Sequence, residues 1–203
     1  MNPPDDPFAN GLPTLAGPRV RLRALELRDA ADQVPIYSDP EVRRFGFSPT
    51  MRDETDGRAL VEEAARLARE RKIFHWCVAA VEDDRAIGHA SLFHLEREHA
   101  RAEVGYSLRR DLWGRGLGTE ALGVLLRFAF QVLDLRRLEA DVDPRNVGSL
   151  RILQKHGFVR EGYLRERWTL GGELQDGVFL GLLRRDWPGL ATLDVPAEPA
   201  PRR

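Results

Sequence analysis

The sequence is short of cysteine, of lysine and of net charge, and each shortage removes a class of function. Cys77 is the only cysteine among 203 residues, so an intrachain disulfide and a cysteine metal cluster are excluded. The 31 basic and 32 acidic residues leave a formal charge of −1, with no excess to draw nucleic acid or an anionic membrane as the main partner. Lys72 and Lys155 are the only lysines; the other basic residues are arginine, which pairs well with phosphate wherever the two meet. No apolar run approaches the roughly 20 residues that span a bilayer. The opening MNPPDDPFANGLP has neither a basic nor an apolar stretch, so no secretory signal is read and a cytoplasmic location is expected. His94 and His99 lack the H-E-x-x-H spacing, and no metal is expected. No internal repeat is found.

What is present suits one globular domain. Hydrophobic residues make up 42% and charged residues 31%, enough to build a core. Residues 1–18 hold five prolines and little periodicity, and 191–203 resemble them; both are expected to be flexible tails around a body at 19–190. The body opens with a strand at 19–24, a short helix from Asp29 to about Tyr37 and a long helix over 53–71. Strands at 73–81, 86–94 and 102–108, joined by short polar turns, predict an antiparallel meander. Apolar residues at spacings of three and four then predict a helix over 117–133, followed by a strand at 137–143. Strand, helix, strand is a βαβ crossover. Asn146 caps a helix over 147–156 ended by Gly157, and strands at 158–170 and 178–183 close the domain around Gly171-Gly172. The expectation is an α+β fold: a mixed, mostly antiparallel central sheet with one parallel step and helices on both faces.

The most informative segment joins the 102–108 strand to the 117–133 helix: Trp113-Gly114-Arg115-Gly116-Leu117-Gly118-Thr119-Glu120-Ala121. Alternate glycines let successive N–H groups turn inward, and a helix N-terminus adds free donors and partial positive charge. Together they make a site for a diphosphate, to which Arg109 and Arg110 are nearby contributors. A P-loop requires a Gly-Lys-Ser/Thr that is missing. Gly116 to Ala121 fits a dinucleotide fingerprint, with Asp141 or Asp143 near the acidic position. The approach from Leu108 is too long for that tight turn, a meander precedes it, and the chain is too short for six parallel strands.

The segment resembles the pyrophosphate loop of the GNAT superfamily of N-acetyltransferases, whose pattern is Gln/Arg-x-x-Gly-x-Gly/Ala; Trp113 replaces the first residue. Trp-Gly-x-Gly-x-Gly-Thr-Glu-Ala is similar to the RimJ/RimL-like branch, which acetylates ribosomal-protein N-termini. Ala102-Glu103-Val104-Gly105-Tyr106 before the loop, and Asp143 to Ser149 running on to Lys155-His156-Gly157-Phe158 with Glu161-Gly162, fit the same branch. The resemblance covers about 15–185. It implies the GNAT fold, acetyl-CoA as donor and an amine as acceptor, with a protein N-terminus leading. A polyamine, amino acid or aminoglycoside acceptor, and a non-catalytic acyl-CoA-binding module, are the alternatives; Glu62, Glu63, Glu96 and Glu98 are available to a cationic small acceptor. A homodimer is compatible with the sequence.

The resemblance places Tyr106, Ser107 and Leu108 along the pantetheine, and Trp113, Gly114, Arg115, Gly116, Leu117, Gly118 and Thr119 at the pyrophosphate. Asn146 is both a helix cap and a CoA contact. Glu103, on the strand leading to the loop, is the candidate base, and Ser149 the candidate proton donor to the leaving thiolate. The tyrosine that many members use one turn later is replaced by Leu153. The glutamate that the RimL-like branch uses after Gly162 is replaced by Trp168, with Glu166 two residues earlier, so Glu103, Glu166 and a water compete as base. Cys77, in an apolar strand, reads as a buried inert thiol, which favours direct attack in a ternary complex. His75, His94 and His156 read as ordinary strand or helix-end residues, and Trp168 and Phe179 as sheet packing. Acceptor specificity is expected in 38–55 and 170–176.

Overall fold

A computed structural model describes residues 6–46 and 50–189. Its centre is an eight-stranded sheet in the order β1-β2-β3-β4-β5-β6-β8-β7. The strands are β1 (Leu15–Ala16), β2 (Val20–Ala24), β3 (Ile73–Ala80), β4 (Ala86–Glu96), β5 (Arg101–Leu108), β6 (Arg137–Val142), β7 (Val159–Leu170) and β8 (Glu173–Leu183). β2 to β5 are antiparallel neighbours, β5 and β6 are the one parallel pair, and β8 returns antiparallel between β6 and β7. The helices are α1 (Ala30–Tyr37), α2 (Pro40–Arg43), α3 (Glu54–Arg69), α4 (Leu117–Gln131) and α5 (Val147–Lys155). The expected mixed sheet with a single parallel step is observed.

Local sequence explains the elements that frame the site. Asp53 caps α3 by accepting from the N–H groups of Thr55 and Asp56, and Glu54–Arg58 and Glu63–Arg66 pairs support its outer face. Along β5, Ala102 and Val104 are buried in the core while Glu103 and Gly105 point to the opposite face. The core face of the sheet packs Phe74, Trp76, Leu92 and Leu138 against Leu122, Leu125, Leu126 and Phe128 of α4. α4 is buried through nearly its whole circumference, as befits a helix clamped between the sheet and the chain's first segment.

Two expectations change. Residues 6–18 are docked rather than free: Phe8 is buried, its ring 3.9 Å from that of Phe74 and edge-on to Phe128. The Trp76 indole also donates to the Pro13 carbonyl at 2.9 Å. One aromatic in a proline-rich stretch carries no periodicity, which is why the contact was invisible in sequence. Residues 1–5 and the expected tail 191–203 lie outside the described residues. The last strand also begins at Glu173 rather than Val178. The polar run Glu173 to Gly177 reads as a turn, yet Gln175 is buried beneath the Arg44 carbonyl, to which its amide donates.

Candidate active site

The site begins where two parallel strands part. β5 and β6 share three rungs, ending at Glu103 opposite Glu139. Beyond them β5 runs on to Leu108 and β6 to Val142 unpaired with each other, leaving a wedge in the sheet and an edge of β5 whose backbone groups are open to a ligand. The linking segment carries the glycine loop across the mouth of the wedge into α4.

The loop geometry explains its composition. Gly114 and Gly116 have φ of 76° and 78°, a left-handed backbone that costs an L side chain 1–2 kcal/mol or so. Gly116 is the N-cap of α4, and no side chain caps that end. The N–H groups of Leu117, Gly118 and Thr119 therefore lack intrahelical partners and point out of the helix. Behind them Glu120 is buried, accepting from the Arg19 and Val20 N–H groups and from the Arg19 guanidinium. Arg19 in turn donates to the Arg115 carbonyl at 3.1 Å, which fixes the loop from the outside.

These elements enclose a cleft of about 540 Å³. It is lined by Tyr106, Ser107, Leu108, Trp113, Gly114, Gly116, Leu117, Gly118, Thr119, Asn146 and Ser149, so eleven of the thirteen residues singled out in the sequence lie on one surface. Arg115 is exposed, outside that lining. Arg109 is engaged with Asp111 at 2.7 Å, and Arg110 approaches Asp39. The cleft takes a different cation, Lys155, which among the described residues has no carboxylate partner. Trp113 is 49% exposed, and its indole donates to the Leu108 carbonyl at 2.8 Å. Glu41, Val42 and Phe45, from α2 and the turn after it, close the far wall; they fall inside 38–55, which had no readable motif.

Two hydroxyls meet on the cleft wall. Asn146 caps α5 by accepting from the Ser149 N–H at 3.1 Å, which sets Ser149 one turn in. Its Oγ lies 2.9 Å from the Tyr106 hydroxyl, which is also 3.1 Å from the Ser149 carbonyl. Burial raises the Tyr106 pKa above its ordinary value, so the phenol stays protonated at neutral pH. The tyrosine side chain had not been read as a partner of Ser149; the two are 43 residues apart in sequence, and no periodic signal links them.

Glu103 sits on the other face of the sheet, at the apex of the wedge and outside the cleft lining. Its Oε1 lies 2.8 Å from His94 Nδ1, and its side chain is 18% exposed. Neighbouring carboxylates are neutralised by arginine. Glu139 is paired with Arg101 and Arg137, Glu96 with Arg101, Glu161 with Arg137, and Asp141 with Arg167. Trp168 donates to Asp141 at 3.2 Å. Glu166 lies in a bulge of exposed β7, with φ of 50° and its N–H bound to Asp176. Cys77 is fully buried, and burial pushes its thiol up to about 12, so no thiolate forms near neutrality.

A family profile described as an acetyltransferase (GNAT) domain matches residues 19–159. The N-acetyltransferase p20 of Bacillus licheniformis is 34% identical over 176 residues, 87% of this chain and 99% of that protein. The spermidine N(1)-acetyltransferase of Escherichia coli K12 is 24% identical over 83% of this chain and 88% of its own length. The structure of Mycobacterium smegmatis RimJ in complex with CoA-disulfide superposes with a TM-score of 0.80 at 23% identity, covering 89% of this chain and 91% of that one.

Proposed function

This chain belongs to the GNAT family of N-acetyltransferases, and on that premise we propose that it transfers the acetyl group of acetyl-CoA to a protein N-terminal α-amino group by direct attack in a ternary complex. The observation that carries the reading is the wedge between β5 and β6, with the uncapped start of α4 at its mouth and Glu103 at its apex. Free N–H groups at α4 take the pyrophosphate without metal, and Lys155 adds charge. The open edge of β5 from Tyr106 to Leu108 pairs with the pantetheine amides as an added strand would. That directs the thioester toward the apex.

Glu103 accepts the proton that the acceptor ammonium must lose; the amine nitrogen then attacks the thioester carbonyl, the C–N bond forms and the C–S bond breaks. Ser149, backed by the protonated Tyr106, donates to the departing thiolate. The second proton of the former ammonium leaves to solvent, and the proton held by Glu103 returns through solvent to Ser149, so both residues recover their starting state and one proton is released overall. An α-amino group has a pKa of about 7.7–8.0 against about 10.4 for lysine, so one modest carboxylate is an adequate base.

The choice of acceptor is supported by charge. A polyamine brings several positive charges, and at the apex of the wedge the carboxylate of Glu103 meets an imidazole while Glu139 beside it is paired with arginine. A single α-amine matches that one charge. The donor half is tested by calorimetric titration with acetyl-CoA. Binding at tens of micromolar or tighter is expected, weakened about tenfold in Gly116→Ala by the left-handed backbone the loop needs; no binding by the unmodified chain in that range overturns the reading.

A further inference from the structure

We propose that His94 is a positioning residue for Glu103, holding its carboxylate in the orientation from which it meets the acceptor amine. The inference rests on the reading of Glu103 as the base and adds to it the element that aims it. The starting observation is a defect in β4. Phe93 stands opposite Glu103, and the next rung joins Glu96 to Arg101, so β4 carries one residue more than β5 across that interval. A bulge of this kind re-aims a side chain that strict alternation would send elsewhere. His94 is the bulged residue, and its φ is 48°, a left-handed backbone that histidine occupies at a cost.

Packing does not repay that cost. The His94 side chain is 68% exposed, and its ring contact is edge-on to Phe93, with centroids 5.2 Å apart. What the bulge achieves is the 2.8 Å approach of Nδ1 to Glu103 Oε1. An ionised carboxylate only accepts hydrogen bonds, so Nδ1 carries the proton and donates it. Oε1 is thereby occupied, and Oε2 is left for the acceptor ammonium. Glu139, Glu161 and Asp141 beside it are each held by a guanidinium. Glu103 is held instead by an imidazole, which fixes its geometry through one oxygen.

Two substitutions separate the hydrogen bond from the backbone. Asparagine tolerates the left-handed region and places an N–H donor near the Nδ1 position; glycine keeps the backbone and has no donor. We expect His94→Gly to lower kcat about tenfold with KM for acetyl-CoA unchanged, and His94→Asn to stay within about threefold of the unmodified enzyme. Equal activity of the two variants, whether both full or both reduced, overturns the proposal. Glu103→Gln is measured alongside. If it retains full kcat, the reading of Glu103 as base fails; if it is impaired while both His94 variants are fully active, the positioning role alone fails.

Discussion

Ser149 and Tyr106 show how a chemical unit forms from residues with no relation in sequence. The Asn146 cap fixes the first turn of α5, the alternation of β5 directs Tyr106 to the same side, and their hydroxyls meet at 2.9 Å. In the proposed mechanism the serine hydroxyl alone would be a poor acid, and the neighbouring phenol, kept protonated by burial, backs it. Because a thiol has a pKa near 8.5, the thiolate is a tolerable leaving group and loss of the donor slows turnover without abolishing it. Ser149→Ala is expected to lower kcat by about 10- to 100-fold, and Tyr106→Phe by less, each with KM for acetyl-CoA within about threefold of the unmodified value. Full activity in both variants would remove the pair from the mechanism. At this scale the sequence was legible where a motif names residues, as in the glycine loop and Asn146. It named Lys155 only within a matching stretch and was silent on the Tyr106 hydroxyl, since their place on the cleft arises from tertiary proximity, and His94 read only as a strand residue because a bulge leaves no periodic trace.

Between elements, three imidazole contacts, one buried and two half-buried, act as cross-braces. His75 of β3 lies 3.0 Å from the Ser91 hydroxyl of β4, and His89 of β4 lies 2.8 Å from the Tyr37 hydroxyl of α1. His156, after α5, meets the Thr119 carbonyl at the start of α4 at 2.8 Å. Burial lowers all three pKa values, that of His75 to about 4. The sign follows from which state takes up protons first. An unfolded histidine titrates near 6.5, whereas these stay neutral in the fold. Their contribution is therefore complete above pH 6.5 or so and is lost as the pH falls toward 4. Tm is expected to drop by about 5 °C between pH 7 and pH 5, and His75→Gln to flatten part of that slope; a Tm constant over this interval would contradict the assignment. The helices and strands themselves followed from spacing and caps, β3 to β6 to within about two residues. β8 was foreshortened because Gln175 is buried by a tertiary contact that its polar neighbours disguise.

At the scale of the molecule, near neutrality conceals a strongly uneven distribution. Arginine–carboxylate pairs tie much of the structure together among the described residues, and beside the wedge they hold Glu139, Glu161 and Asp141 while Glu103 meets an imidazole. Opposite them, the cleft presents backbone N–H groups and Lys155. The proposed phosphate site rests on backbone geometry and not on bulk charge, so neither net charge nor composition announces it. The α+β class and the single parallel step were readable because the hydrophobic period switches from two to near four at the glycine loop and back. The docking of Phe8 was not, since one side chain fills one core niche without a pattern. The central claim is acetyl transfer to an α-amine, and a mass-spectrometric screen of acetyl-CoA products tests it most directly, with free and N-blocked peptides, spermidine, amino acids and an aminoglycoside as acceptors. The account predicts a mass gain of one acetyl group on free peptide N-termini and none on the blocked ones; acetylation of spermidine with no peptide product would contradict it.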